Sequence, residues 1–249
     1  MGLNRHLSVQ AVWRGAWPTP GEPLAIVLPG REQPVQFALE IVTRLSLPSL
    51  NCAALSAAGN TWYPRRFMEP IESNQPDVDH SLERIESLVA EAESRGIPRN
   101  QIALVGFSQG ACVVCEYVYR HPVRWGTVVS FTGGLIGAEN QRWETDGLGL
   151  ADTPVLLTNS DSDPWVPLVR TQQTAAVFRG LGADVHQPVY PARQHEVTDA
   201  EISEARKLLL ALMTGAQNPV RMQEERRHEL DGRSKSCDGV YTSLGEKRP

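Results

Sequence analysis

Cysteine is scarce in this chain of 249 residues. The four present, Cys52, Cys112, Cys115 and Cys237, are too few and too irregularly spaced for a disulfide framework at this length, so they read as reduced thiols. Basic runs are missing as well. Lys and Arg number 24 against 29 Asp and Glu, a net charge of −5, which argues against nucleic acid or an anionic membrane as the main partner. No stretch approaches the ~18 consecutive apolar residues of a spanning helix. The N-terminal MGLNRHLSVQAVWRG has no apolar signal-peptide core, and His6 stands where a myristoylation signal requires Ser or Thr. A cytoplasmic protein without membrane insertion is expected. A phosphate-binding G-x-x-x-x-G-K, a dinucleotide-binding G-x-G-x-x-G and a zinc-binding H-E-x-x-H are all lacking, so no cofactor and no metal is implied. Cys112 and Cys115 have no second ligand pair and lie one helical turn apart, the arrangement of buried structural thiols.

What is present is alternation. Short apolar runs of strand character recur between helix-like segments, the signature of βαβ units and a mostly parallel sheet with helices on both faces. Strands are expected at Leu24 to Leu28, Asn51 to Ala57, Gln101 to Val105, Thr127 to Thr132, Val155 to Thr158 and Asp184 to Tyr190. Helices are expected from Pro34 to Leu45, from Asp77 to Gly96, from Ala111 to Arg120, and from Thr198 or Asp199 to Met213. The last opens on a capping-box pattern with Glu201 and stops before Gly215. From Ala216 the apolar periodicity ends, and 13 of the 34 remaining residues are charged. The reading is one α/β domain over residues 1–215 and a disordered polar tail over 216–249.

Gly106-Phe107-Ser108-Gln109-Gly110 carries the chemistry. It is a G-x-S-x-G pattern between an apolar strand and a helix, the context in which a serine on a strained turn projects its Oγ from the sheet as a nucleophile. A serine hydroxyl is weak without a base and a group that orients the base, and in this arrangement they follow in the order Ser, Asp, His. Asp161 and Asp163 both lie in the acidic turn after the strand ending near Asn159. His195 lies in the loop after the strand ending near Tyr190. Each position is just past a strand's C-terminal end, where such sheets place their sites. Among the other histidines, His6 precedes the sheet, His80 and His121 lie on helices, His186 lies within a strand and His228 in the tail, which leaves His195 as the base. The backbone amides of Gln109 and of Arg31, in the loop after the first central strand, are the expected oxyanion donors.

These residues resemble the phospholipase/carboxylesterase family of α/β hydrolases, which includes the acyl-protein thioesterases and small bacterial carboxylesterases. The likeness rests on GFSQG after the lead-in GIPRNQIAL, on the turn DPWVP, on His195 ahead of a final helix and on LPGR after the first strand. It covers roughly residues 20–213. It implies Asp163, immediately before Pro164, as the triad acid. The stretch GNTWYPRRFMEPIE is similar to a bacterial branch linked to quinone or aromatic-compound metabolism. The chain departs from the family's H-G-x-G loop, with Pro29 in place of His and Glu32 in place of the second Gly, and has Gln194 where a Gly often precedes the base.

About 20 residues separate Thr132 from Val155, too few for a lid domain, so an open site is expected. Trp62, Leu135 and Trp165, with Phe67 and Met68, are candidate wall residues. The reading is a monomeric or weakly dimeric serine carboxylic ester hydrolase acting on small or medium-chain esters. An acyl-protein thioesterase or lysophospholipase is the nearer alternative, with a small-molecule ester or thioester as partner in either case. A hydrolase-like binding protein is the more distant one.

Overall fold

The structure, a computed structural model, describes residues 3–215. The expected tail and Cys237 lie outside these residues. Seven strands form one sheet in the order β1 (Val12–Arg14), β3 (Asn51–Ala54), β2 (Leu24–Leu28), β4 (Ile102–Phe107), β5 (Thr127–Phe131), β6 (Pro154–Thr158), β7 (Asp184–His186). Every neighbouring pair is parallel except β1 with β3. Five helices connect them: α1 (Val35–Leu45), α2 (Asp77–Ser94), α3 (Gln109–Arg120), α4 (Leu168–Gly180) and α5 (Asp199–Thr214).

The two-residue period of the strands sorts the core into two halves. Leu24, Ile26 and Leu28 of β2, with Ile102 and Leu104 of β4, pack toward α2, α3 and α4. Ala25 and Val27, with Ala103, Val105 and Phe107, pack toward α1 and α5. All these strand residues are at or within 2% of complete burial. That explains why β2 and β4 read as unbroken apolar runs: a strand covered on both faces has no polar side to show. Each fully buried Leu or Ile contributes about 1.5–3 kcal/mol.

The expected strands and helices stand at the expected places, with ends shifted by a few residues. Two elements differ more. β1 is a three-residue antiparallel edge strand, too short for a period to register. α4 follows the acidic turn, and polar Arg170, Thr171 and Thr174 make up half of its buried residues, which hides the helix from apolar periodicity. Arg170 is fully buried, and its guanidinium donates to the carbonyls of Leu135 (2.8 Å), Gly137 (2.9 Å) and Ala138 (2.9 Å). Those bonds fasten the segment after β5 down onto the domain. The loss of solvation lowers the Arg170 pKa, and the carbonyl dipoles, with the charge of Glu139, offset part of it. Among the described residues no helix is long and apolar enough to cross a membrane.

Candidate active site

The turn between β4 and α3 is built around two glycines. A Cβ added to Gly106 would stand 2.6 Å from Cα and N of Ala111, and one on Gly110 would run into the carbonyl oxygens of Pro29 and Leu28. Backbone cannot yield as a flexible side chain does, so both positions require hydrogen in place of a side chain. Between them Ser108 adopts φ +52° and ψ −119°, outside the regions favoured for L-residues. Its amide donates to Phe131 O (2.9 Å) at the end of β5, which helps hold that conformation. The helix accordingly begins at Gln109, two residues earlier than the glycine spacing suggested.

His195 Nε2 lies 2.9 Å from Ser108 Oγ, and His195 Nδ1 lies 2.8 Å from Asp163 Oδ2. The two acidic candidates part company here. Asp163 has a fully buried side chain, and its other oxygen, Oδ1, accepts from the amides of Trp165 (3.0 Å) and Val166 (2.8 Å). Asp161 is exposed and accepts from the amide of Ala192 (2.9 Å), with no bond to the imidazole. Burial works to raise the Asp163 pKa. The hydrogen bonds from His195, Val166 and Trp165 more than offset it and hold the carboxyl below its usual range. The turn itself is shaped by buried Asn159, whose Nδ2 donates to Val166 O (3.0 Å) and Thr171 Oγ1 (2.9 Å).

The loop bearing His195 is fixed by a neighbour that sequence reading passed over. Arg193, nearly buried, donates to Gln194 O and Glu196 O (both 2.6 Å), the carbonyls on either side of the histidine, and to Thr132 Oγ1 (2.6 Å). Its Nε stands 3.5 Å from Glu201 Oε2. Glu201 is itself fully buried, accepts from Thr158 Oγ1 (2.5 Å) and forms the capping box of α5 with Thr198. The only signal in the sequence was the unexplained basic residue two positions before the histidine. Arg193 lines no part of the cavity and touches no reacting atom, so it is a positioning residue. Arg193→Met is expected to lower kcat by about 10²-fold through misplacement of His195, with KM little changed. Arg193→Lys, which keeps the charge but not the fork, should fall between. Steady-state kinetics on the three proteins checks this, and equal effects on kcat and KM would contradict it.

Opposite the serine, the altered loop Pro29-Gly30-Arg31-Glu32 is ordered by its neighbours. Gly30 N–H donates to Gln33 Oε1 (2.7 Å) and Glu32 N–H to Asn60 O (2.7 Å). The amide of Arg31, between them, has no acceptor among the described residues. A Cβ on Gly30 would stand 3.1 Å from Ser108 Cβ, so this loop abuts Ser108. Gln109, as the first residue of α3, has an amide without an intrahelical acceptor. The two expected oxyanion amides thus lie beside the same serine.

Ser108 and His195 open into a cavity of about 650 Å³, lined also by Phe67, Val166 and Trp165. Trp165 is exposed at its rim. Trp62 and Leu135, expected as walls, do not line it. Both are fully buried in the core. Trp62 donates from its indole nitrogen to Pro29 O (2.9 Å) in the loop after β2, and Leu135 is held by Thr174 and Arg170. Met68 packs against the core rather than the cavity. Cys112 and Cys115 are free and buried, with the Cys112 thiol pushed up to about 11 by burial and the Cys115 thiol higher still for the same reason. His6 is buried under the Trp62 loop, accepting from Ala58 N (3.0 Å) at Nδ1 and facing Trp62 O (3.2 Å) through Nε2. Among the described residues no cluster of His, Cys, Asp and Glu could hold a metal ion.

Comparison with known proteins agrees with this architecture. A crystal structure of a phospholipase/carboxylesterase from Dyadobacter fermentans is 34% identical, covering 82% of this chain and 97% of its own, with a TM-score of 0.75. A carboxylesterase from Mesorhizobium loti, 17% identical over 80% of this chain and 93% of its own, has the same fold at a TM-score of 0.62. Acyl-protein thioesterase 1 of Gibberella zeae is 29% identical over 133 residues, 49% of this chain and 53% of that protein. Its counterpart from Debaryomyces hansenii is 29% identical over 142 residues, 56% and 61% of the two lengths. The chain therefore spans less than two thirds of these curated relatives. The family profile described as Phospholipase/Carboxylesterase matches residues 51–213, from β3 through the serine turn and the acidic turn to α5. By that match, and by a seven-stranded sheet that carries a serine, an acid and a histidine past its strand ends, this chain belongs to the phospholipase/carboxylesterase family of α/β hydrolases.

Proposed function

We propose that the protein is a serine carboxylic ester hydrolase working through an acyl-enzyme on Ser108. The observation that carries the reading is the unbroken hydrogen-bonded line from buried Asp163 through His195 to Ser108, with spacings of 2.8 and 2.9 Å. Ser108 Oγ attacks the ester carbonyl while His195 Nε2 accepts its proton, and the amides of Gln109 and Arg31 receive the developing oxyanion. His195 then gives the proton to the leaving alcohol. Water attacks the acyl-enzyme by the same route in reverse, releasing the acid and restoring Ser108. Asp163 holds His195 with Nδ1 protonated and stabilises the imidazolium.

Small or medium acyl groups suit a cavity of about 650 Å³ without a lid domain. The thioesterase alternative draws support from the curated relatives, and it differs only in the leaving group. The decisive experiment is labelling with an alkyl fluorophosphonate followed by peptide mass spectrometry. One phosphonyl group is expected on the peptide containing Ser108, and prior incubation with a good ester substrate should slow its attachment. Labelling elsewhere, or none in a folded protein, overturns the mechanism. Competition by p-nitrophenyl esters from acetate to palmitate, and by acyl thioesters of matched length, ranks chain length and leaving group.

A further inference from the structure

The cavity in front of Ser108 is basic in a chain that is acidic overall. Three arginines, Arg31, Arg65 and Arg66, line it against one glutamate, Glu32, whereas the whole chain carries a net charge of −5. Arg31 donates to Pro64 O. Arg65 and Arg66 are exposed, and their guanidinium groups have no ion pair or hydrogen bond among the described residues. The backbone that presents them is pinned along its length. Trp62 N donates to Gln109 Oε1 (3.0 Å), Gln109 Nε2 donates to Tyr63 O (2.8 Å), and Gly137 N donates to Phe67 O (2.8 Å). Fully buried Asn74 accepts from Arg65 N (2.8 Å) and donates to Arg66 O (3.0 Å). Two cations without a protein partner among the described residues are thus carried on a hydrogen-bonded segment beside Ser108. A fixed mount reduces the ordering cost of binding, and low-dielectric walls concentrate the positive field in the cleft.

We propose that Arg65 and Arg66 form an anion subsite, and that the preferred substrate is an ester bearing a second, carboxylate group a few bonds from the scissile carbonyl. The planar guanidinium fork matches a carboxylate. This rests on the ester-hydrolase reading for its substrate, while the anion binding itself can be measured without turnover.

The test compares kcat/KM for matched pairs. The mono-p-nitrophenyl ester of adipic acid is set against p-nitrophenyl hexanoate, and 4-acetoxybenzoate against its methyl ester, which places the carboxylate on the acyl side or on the leaving-group side. In the wild type at least one pair should favour the anion by about tenfold or more, and the ratio should fall toward one in Arg65→Gln/Arg66→Gln and as salt rises from roughly 0.02 to 0.5 M. Ratios within twofold of one in both wild-type pairs, or a preference that survives the double substitution, overturn the subsite. If no ester is cleaved in a Ser108-dependent manner, the ester-hydrolase reading fails on its own. The subsite is then decided by calorimetric titration of the Ser108→Ala protein with monomethyl adipate and dimethyl adipate. Tighter binding of the monoacid that is lost when Arg65→Gln and Arg66→Gln are added to Ser108→Ala supports it, and equal binding, or a preference that survives those substitutions, overturns it.

Discussion

Ser108→Ala should lower kcat on p-nitrophenyl esters by about 10⁶-fold, His195→Ala by a comparable factor, and the double variant by no more than either alone. The reason is that the two groups act as one device. A serine without its base keeps its proton, and a base left facing an alanine methyl in place of the hydroxyl has nothing to deprotonate. The remaining rate, about 10³–10⁴ above the uncatalysed reaction, would come from the amides of Gln109 and Arg31, which neither substitution removes. Stopped assays over hours on protein whose thermal midpoint matches the wild type measure this. Independent, multiplying losses would show that Ser108 and His195 do not share a proton, and full activity in Ser108→Ala would show that the nucleophile is elsewhere.

Asp163→Asn should lower kcat by about 10⁴-fold, while Asp161→Asn leaves it within a few-fold. The geometry fixes which way an asparagine would sit. Oδ1 of residue 163 faces two donors, the amides of Trp165 and Val166, so the carboxamide oxygen is kept there. Its NH₂ group must then face His195 Nδ1. That nitrogen becomes an acceptor, the imidazole proton moves to Nε2, and the atom facing Ser108 Oγ can no longer take a proton. At residue 161 the contact is a single amide, Ala192 N, which an asparagine oxygen accepts equally well. Parallel kinetics on the two variants checks the assignment. Equal losses in both would mean that the acidic turn matters only as a piece of structure.

The serine turn was legible because its requirements are local. Two glycines and a serine between an apolar strand and a helix leave little else for that turn to be. His195 was reached by excluding the other five histidines, and the choice between Asp161 and Asp163 waited on the family likeness because both lie in one turn. The sheet was legible where strands are covered on both faces, and least so at β1, three residues long on an open edge. What escaped was polar burial. Arg170, Arg193, Glu201 and Asn74 are charged or amide side chains hidden from water, each bonded to backbone or to another polar side chain, Arg170 across to Leu135 and Arg193 across to Thr132. Hydrophobic patterning cannot register such contacts, since the same residues on a surface would look alike. Trp62 and Leu135 failed as wall residues for the opposite reason: large apolar side chains near a site belong to the core unless something excludes them from it.

Gln109 has one further consequence. The side chain of Gln109 bonds to both Trp62 and Tyr63, so the serine turn and the arm carrying Arg65 and Arg66 are tied together. On the proposed reading, reactivity and selectivity are carried on one frame but at different depths. Gln109 is buried, whereas the side chains at positions 65, 66 and 165 are exposed. Substitutions at those three exposed tips are therefore expected to shift substrate choice while leaving the serine turn in place.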